Sequence, residues 1–199
     1  MKNKEMNELE ALQIIESMIN KTKKEISDNG FYWILWGWLV FISALVDYTL
    51  MVFFQHDLHA LVWAIMMPLG GIITAIKGRK ESIEKSKSAK TYVDELMKYV
   101  ITAYVISLLI ICFIMPMHPD TWKSFYPVIM VLYATITYIT GGIVKSKALR
   151  MGSFLNWACA ITAFFVTYDW QLLLLALAVL GGFIIPGHIL NKEFKAQHV

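Results

Sequence analysis

The chain has 199 residues, 57% of them hydrophobic and only 17% charged, with a net charge of +3 and a mean hydropathy of +0.55. Soluble domains carry about 25% charged residues, and here the charges crowd into a few short stretches, leaving the remainder almost free of charge. These values exclude a soluble enzyme, a disulfide scaffold and a disordered tail, and they describe a membrane protein.

In chain order the first expected element is amphipathic. Leu9, Leu12, Ile15, Ile19 and Ile26 recur at three, four and seven residues, which predicts a helix over residues 6–28. Asp28-Asn29-Gly30 supplies a stop, so residues 1–30 form a cytoplasmic helix and its cap. A helix that binds a membrane surface usually has a basic polar face. This one carries five Lys against five Glu and Asp28, so its apolar stripe is expected to pack on protein. Either the chain's own cytoplasmic face or a protein partner fits, with Leu12, Ile15 and Ile19 as the docking candidates.

A helix needs about 20 mostly apolar residues to cross a hydrocarbon core of about 30 Å. Six stretches qualify: residues 31–54, 58–76, 99–117, 125–144, 151–168 and 170–190. The fold expected for residues 31–190 is therefore an all-α polytopic transmembrane bundle of six spans, arranged as three hairpins. Only Tyr168-Asp169-Trp170-Gln171 divides the last two spans, but one helix in their place would be about 60 Å long, twice the core thickness. The first apolar run begins at Phe31, is too long for a signal-peptide core and lacks a small-residue cleavage site, so it is expected to remain as a span.

Between the second and third spans, loop 77–98 holds Lys77, Arg79, Lys80, Lys85, Lys87, Lys90 and Lys98, diluted by Glu81, Glu84, Asp94 and Glu95. Anionic lipid headgroups are its expected neighbours, and a docking surface for a cytosolic protein is the alternative. Thr91 followed by Asp94 has the pattern of a capping box, which predicts a helix starting at Thr91 and running into the third span. Of 18 Lys and Arg, 17 fall in the N-terminal segment, this loop, residues 145–150 and the tail 191–199; only Lys123 falls elsewhere. Because Lys and Arg are retained on the cytoplasmic side of short loops, both termini are expected in the cytoplasm. The turns around 55–57, 118–124 and 169 would then face outward, with Trp122, Tyr126, Tyr168 and Trp170 at the membrane interface. The basic residues alternate with Glu and flank apolar runs, a pattern that argues against nucleic acid.

Asp47 is the one acidic residue well inside a span, roughly 10 Å from the polar turn that begins at Gln55. Ionisable groups at such depth face a bundle interior or a water-filled cavity and mark ion or proton pathways, which makes Asp47 the candidate for proton or ion coupling. A carboxyl bonded to a nearby Tyr or Thr in a purely structural role is the alternative. The outward turns gather His56, His59, His118 and Asp120, ligand types that would bind a divalent metal only if the hairpin tips converge. Their spacing does not establish that, and no metal or other cofactor is expected. Pro68 and Pro186 stand beside Gly70-Gly71 and Gly181-Gly182 as helix-break candidates of the kind found around transporter sites. Gly71 with Ala75, Thr137 with Gly141, and Ala178 with Gly182 are small-xxx-small pairs suited to close helix packing. Asn156 is the only amide inside the fifth span, and Cys112 and Cys159 lie in apolar runs as small hydrophobes.

The run Ser27-Asp28-Asn29-Gly30-Phe31-Tyr32-Trp33-Ile34-Leu35-Trp36-Gly37-Trp38, placed after an amphipathic helix, resembles the approach to the membrane domain in small bacterial multi-pass proteins of unassigned function. The six-span hairpin plan is also loosely similar to small bacterial acid-stress membrane proteins. The resemblance implies a bacterial inner membrane and no particular binding or catalytic residue. The expected role is non-enzymatic, regulatory or assembly-related, exercised through the N-terminal helix and the basic loop. A small proton- or ion-coupled transporter or channel using Asp47, possible as a homo-oligomer, is the second expectation.

Overall fold

A computed structural model describes Leu12 and residues 30–55, 58–85 and 92–196, and among them there are helices and turns but no strand. We number the helices α1 Gly30–Val52, α2 Leu61–Lys85, α3 Tyr92–Ile114, α4 Phe125–Ile143, α5 Lys147–Ala163, α6 Tyr168–Val179 and α7 Ile185–Ala196. A π-helical segment, Leu180–Ile184, joins α6 to α7 into one rod. Five stretches of the described residues are long and apolar enough to cross a membrane: Gly30–Val52, Leu61–Ile83, Glu95–Met117, Asp120–Ile143 and Tyr168–Glu193. The expected fifth span, residues 151–168, is not among them; it corresponds to α5, which has only 17 residues and begins with Lys147 and Arg150 in its first turn.

The connections follow from local chemistry. Pro116 and Pro119 each sit near the start of a 3-10 turn between α3 and α4, where a missing N–H costs nothing. After α4 the chain reverses through Lys145, whose φ of 57° is left-handed. Lys145 N–H donates to Gly142 O (3.2 Å) and Ser146 N–H to Gly141 O (2.9 Å), the double bond of a Schellman ending. Ser146 then caps α5 by accepting from Leu149 N–H at 3.4 Å. At the far end of α5 the Gln171 amide, reaching over from α6, donates to Ala163 O (3.0 Å) and Lys123 O (2.8 Å). One buried side chain thereby closes the α5 terminus and ties it to the turn before α4.

Helix α4 lies along α5 over most of their lengths, α1 lies along α6, the π segment and α7, and α5 packs on both parts of the last rod. These elements enclose the core, in which Ala44, Met130, Ala134, Leu149, Leu172, Ala178 and Val179 are fully buried. Close approach depends on glycine at two crossings. A Cβ on Gly152 would lie 2.6 Å from Gly181 O and 2.9 Å from Gly182 Cα, so α5 and the π segment touch backbone to backbone. A Cβ on Gly37 would lie 2.7 Å from Ile184 Cγ1, where α1 crosses the same segment. The π turn also accommodates Pro186, whose ring would otherwise press on the carbonyl of Gly182 one turn earlier.

Helices α2 and α3 sit outside this core. α2 packs mainly along α1, and α3 mainly along α4; 6% of the apolar window of α2 is buried and none of that of α3. Several boundaries differ from the sequence reading. Most of the expected loop 77–98 is helix, because α2 runs on to Lys85 and α3 begins at Tyr92. The charges at Lys77–Lys80 end the apolar run without ending the helix, and the Lys77–Glu81 pair, 3.8 Å apart at i,i+4, suits a helix surface. Helix α2 also continues on both sides of Pro68, and Pro186 lies inside α7. The helix expected over residues 6–28 lies outside the described residues except for Leu12, which is helical and 64% exposed.

The glycine crossings can be tested directly. Gly152→Ala is expected to destabilise the folded protein by about 2 kcal/mol through overpacking, whereas Gly142→Ala, whose Cβ meets nothing within 4 Å, is expected to be neutral or to stabilise by up to about 1 kcal/mol. Denaturant titration in detergent micelles compares the two.

Candidate functional site

The site is built at the end of the bundle where α1 finishes and α2, α4 and α6 begin. Asp47 lies near the last turn of α1, on the same side as Ser43 and Ala44, and all three are 0% exposed. A carboxyl buried there has exchanged water for protein donors, and each must be supplied by a neighbouring element. Helix α2 and the turn before it supply two. His59 Nδ1 lies 2.5 Å from Asp47 Oδ1, and Trp63 Nε1–H donates to Asp47 Oδ2 at 2.7 Å. His59 lies in the turn that leads into α2 and Trp63 in the first turn of that helix, so the start of α2 brings both side chains to the carboxyl. Helix α4 supplies the third: Tyr126, 3% exposed, donates its hydroxyl to Asp47 Oδ2 at 3.2 Å. Tyr168 at the start of α6 donates in turn to the Tyr126 oxygen at 3.2 Å.

The aromatic rings close the sides of this cluster. Trp63 and Tyr126 have centroids 6.1 Å apart, Tyr126 and Tyr168 5.1 Å, and Trp122 and Tyr168 6.4 Å. Beside it, Thr167 donates its hydroxyl to Asp169 in the first turn of α6, which keeps Asp169 on its own helix end and apart from Asp47. His59 is 25% exposed, whereas its partner Asp47 has no exposure. The imidazole therefore connects a carboxyl inside the bundle with the surface.

The chemistry of the pair is constrained. A contact between an imidazole nitrogen and a carboxyl oxygen needs one proton between them, carried either on Nδ1 of His59 or on Asp47. With the proton on Nδ1 and none on Nε2 the pair carries one negative charge; a proton added at Nε2 makes it neutral overall, either as an imidazolium against a carboxylate or, by transfer across the contact, as a neutral imidazole against a neutral acid. Trp63 and Tyr126 donate to Asp47 Oδ2, so both carboxyl oxygens are engaged. The arrangement is thus a buried carboxyl joined to one surface-connected imidazole and set in an aromatic wall.

Among the described residues no three His, Cys, Asp or Glu side chains come together as a metal site. His118 and Asp120 are exposed in the turns between α3 and α4, His59 is engaged with Asp47, and His56 lies outside the described residues. The sequence reading singled out Asp47 and His59 without joining them. It placed Tyr126 and Tyr168 in an interfacial belt and passed over Trp63. A His-x-x-x-Trp spacing just before an apolar helix, following an acidic residue in the preceding span, is the signal that would have brought the group together.

A second polar arrangement ties α1 to α2 at the other end of the bundle. Tyr32 donates to Glu81 Oε2 at 3.0 Å, Trp36 Nε1–H donates to Thr74 Oγ1 at 3.1 Å, and the Lys77 ammonium stands 3.5 Å above the Phe31 ring. Deeper in the core, Asn156 is fully buried against Gly182 with neither amide atom hydrogen-bonded. On α4, Thr137 and Thr140 are buried, while Thr135, Tyr138 and Gly142 face outward, so the polar residues of this helix do not line one seam.

Removing the acceptor should matter more than removing the outermost donor. Asp47→Ala leaves three donors facing a cavity and is expected to cost about 3 kcal/mol or more, whereas Tyr168→Phe loses one hydroxyl contact and is expected to cost about 1 kcal/mol. Unfolding of the two variants in micelles distinguishes these values. No family model matches the chain, and no curated protein or solved structure is found to be similar to it.

Proposed function

We propose that the chain is a non-enzymatic, proton-responsive regulatory protein of the bacterial inner membrane. In this reading the protonation state of the Asp47–His59 pair sets how firmly α2 is held against the bundle. The observation that carries it is the pairing itself: a carboxyl with no exposure, inside a span, joined at 2.5 Å to an imidazole that is 25% exposed. Ionisable groups at that depth are expensive and are expected to serve a function, and imidazole is the side chain whose charge ordinarily changes between about pH 5 and pH 8. Helix α2 suits the role of the moving part, because little of it is buried and polar contacts at its two ends join it to α1. It leads directly into the basic segment of residues 77–98, so a change at one end would be carried to the other along a single helix.

The topology proposed with this function has six spans and both termini in the cytoplasm. It is supported by the one-sided distribution of Lys and Arg and by α5, whose 17 residues fall at the short limit for a span and which lies antiparallel along α4. Single cysteines replacing Asp120 and Thr167 are expected to react with an impermeant reagent added outside. Those replacing Lys147 and Lys195 are expected to react only after permeabilisation. Labelling of Thr167→Cys from the same side as Lys147→Cys would overturn α5 as a span.

The functional reading predicts a reversible change in tryptophan fluorescence between about pH 8 and pH 5, lost in Trp63→Phe, Asp47→Asn and His59→Gln alike. A wild-type signal without pH dependence in this window would exclude it. Proton flux in proteoliposomes that disappears with Asp47→Asn would instead support the transporter reading of the same residue. A cytoplasmic protein partner for the N-terminal helix is the other half of the proposal, and exposed, helical Leu12 is what supports it. Polar replacement of Leu12, Ile15 and Ile19 together is expected to release such a partner in a mild-detergent pull-down, and unchanged recovery would remove the docking role.

A further inference from the structure

Away from the Asp47 cluster, α3 and α4 diverge enough to leave a groove of about 400 Å³ between them, open along one side. Its walls are Ala103, Tyr104 and Ser107 on α3 and Leu132, Ile136 and Ile139 on α4. The small side chains Ala103 and Ser107 create the gap, while the Tyr104 and Tyr133 rings, 6.4 Å apart, fix how the two helices face each other. Nothing else in the described chain covers α3, whose apolar window contains no buried residue.

The groove ends beside charge. Tyr99 and Ile139 line its extremity on α3 and α4, and Lys98 precedes Tyr99 directly. At the same end of the bundle, Lys145, Lys147 and Arg150 follow α4 through its turn into α5. All four cations are exposed, and none of them forms an ion pair with another described residue. Glu95, one turn before Lys98, is the one described acidic side chain facing this end from α3, and it leaves the balance strongly positive. An apolar channel within membrane-spanning helices that opens on unpaired cations matches a molecule with a long hydrocarbon tail and an anionic head.

We propose that this groove binds one anionic phospholipid, an acyl chain lying between α3 and α4 and its phosphate meeting Lys98 and the cations of the α4–α5 turn. Hydrocarbon supplies the dispersion contacts that the diverging helices withhold from each other, and Lys and Arg near a membrane surface favour anionic headgroups. This site is independent of the proton-responsive reading, since none of its residues belongs to the Asp47 cluster.

The test is lipid retention by the full chain. Protein extracted in mild detergent and exchanged repeatedly is expected to keep about one phosphatidylglycerol per chain in native mass spectrometry. In mixed lipid–detergent micelles it should prefer phosphatidylglycerol over phosphatidylethanolamine. Ala103→Trp fills the groove on an exposed face of α3 and is expected to abolish retention, while Ile65→Trp on exposed α2 leaves it intact. Lys98→Gln combined with Lys145→Gln is expected to keep a lipid but to reduce the preference for the anionic headgroup by about tenfold or more. Equal retention by Ala103→Trp, no headgroup preference in the wild type, or a dimer crosslinked through Ala103→Cys with no lipid bound would each overturn the proposal, the last assigning the groove to a second copy.

Discussion

A carboxyl group deprived of water at the meeting point of several helices imposes its own requirements on all of them. Asp47 has two oxygens to satisfy, and the donors come from α2 and the turn before it, and from α4, with Tyr168 of α6 behind the last of them. Removing Asp47 leaves the buried donors of Trp63 and Tyr126 without a partner, which costs more than each contact contributes when made. The relative placement of α1, α2, α4 and α6 at this end is therefore coupled through one side chain.

The rest of the bundle is held by a different kind of contact. Where α5 and α1 cross the π segment, glycine lets the helices meet almost backbone to backbone, and dispersion between closely packed atoms does the holding. Helix α2 has no such crossing deep in the core. It is attached by indole and phenol donors at its two ends and by Gly70 against Leu39 and Trp36 between them. Among the described residues of α3 no such polar tie reaches the core, and its inward side chains Tyr104, Leu108 and Ile111 are only partly buried. Stability is thus graded from the core outward, and the segments with the fewest buried contacts are those that open most easily. The Asp47 cluster sits where a weakly packed helix meets the firmly packed core.

Parts of this arrangement were legible in the residues. Asp47 stood out because a charge inside an apolar run has few innocuous explanations, and Asn156 stood out for a similar reason. The Ala178–Gly182 pair reads as a close-packing motif, and Gly182 lies against Asn156 and Gly152, whereas a Cβ on Gly71 of the equivalent pair in α2 would meet nothing within 4 Å. The two pairs look alike along the chain, and only a facing helix separates them. Tyr126 and Tyr168 read as interfacial aromatics because Tyr at the end of an apolar run is ordinary there. Their inward hydroxyls depend on a carboxyl 79 residues from Tyr126.

The sequence by itself determined that this is a helical chain built for a hydrophobic setting, where its apolar segments lie, and that one end of them is rich in Lys and Arg. Those properties are local, since a helix satisfies its own backbone and hydrocarbon selects for apolar length regardless of what lies alongside. Tertiary structure alone decided that Asp47 pairs with His59, that Trp63 and Tyr126 complete the cage, that α2 continues past its charges, and that α3 stands apart from α4 to leave a groove. Each of these depends on which faces of distant helices are brought together. Periodicity shows that a face exists, but only packing shows what it meets.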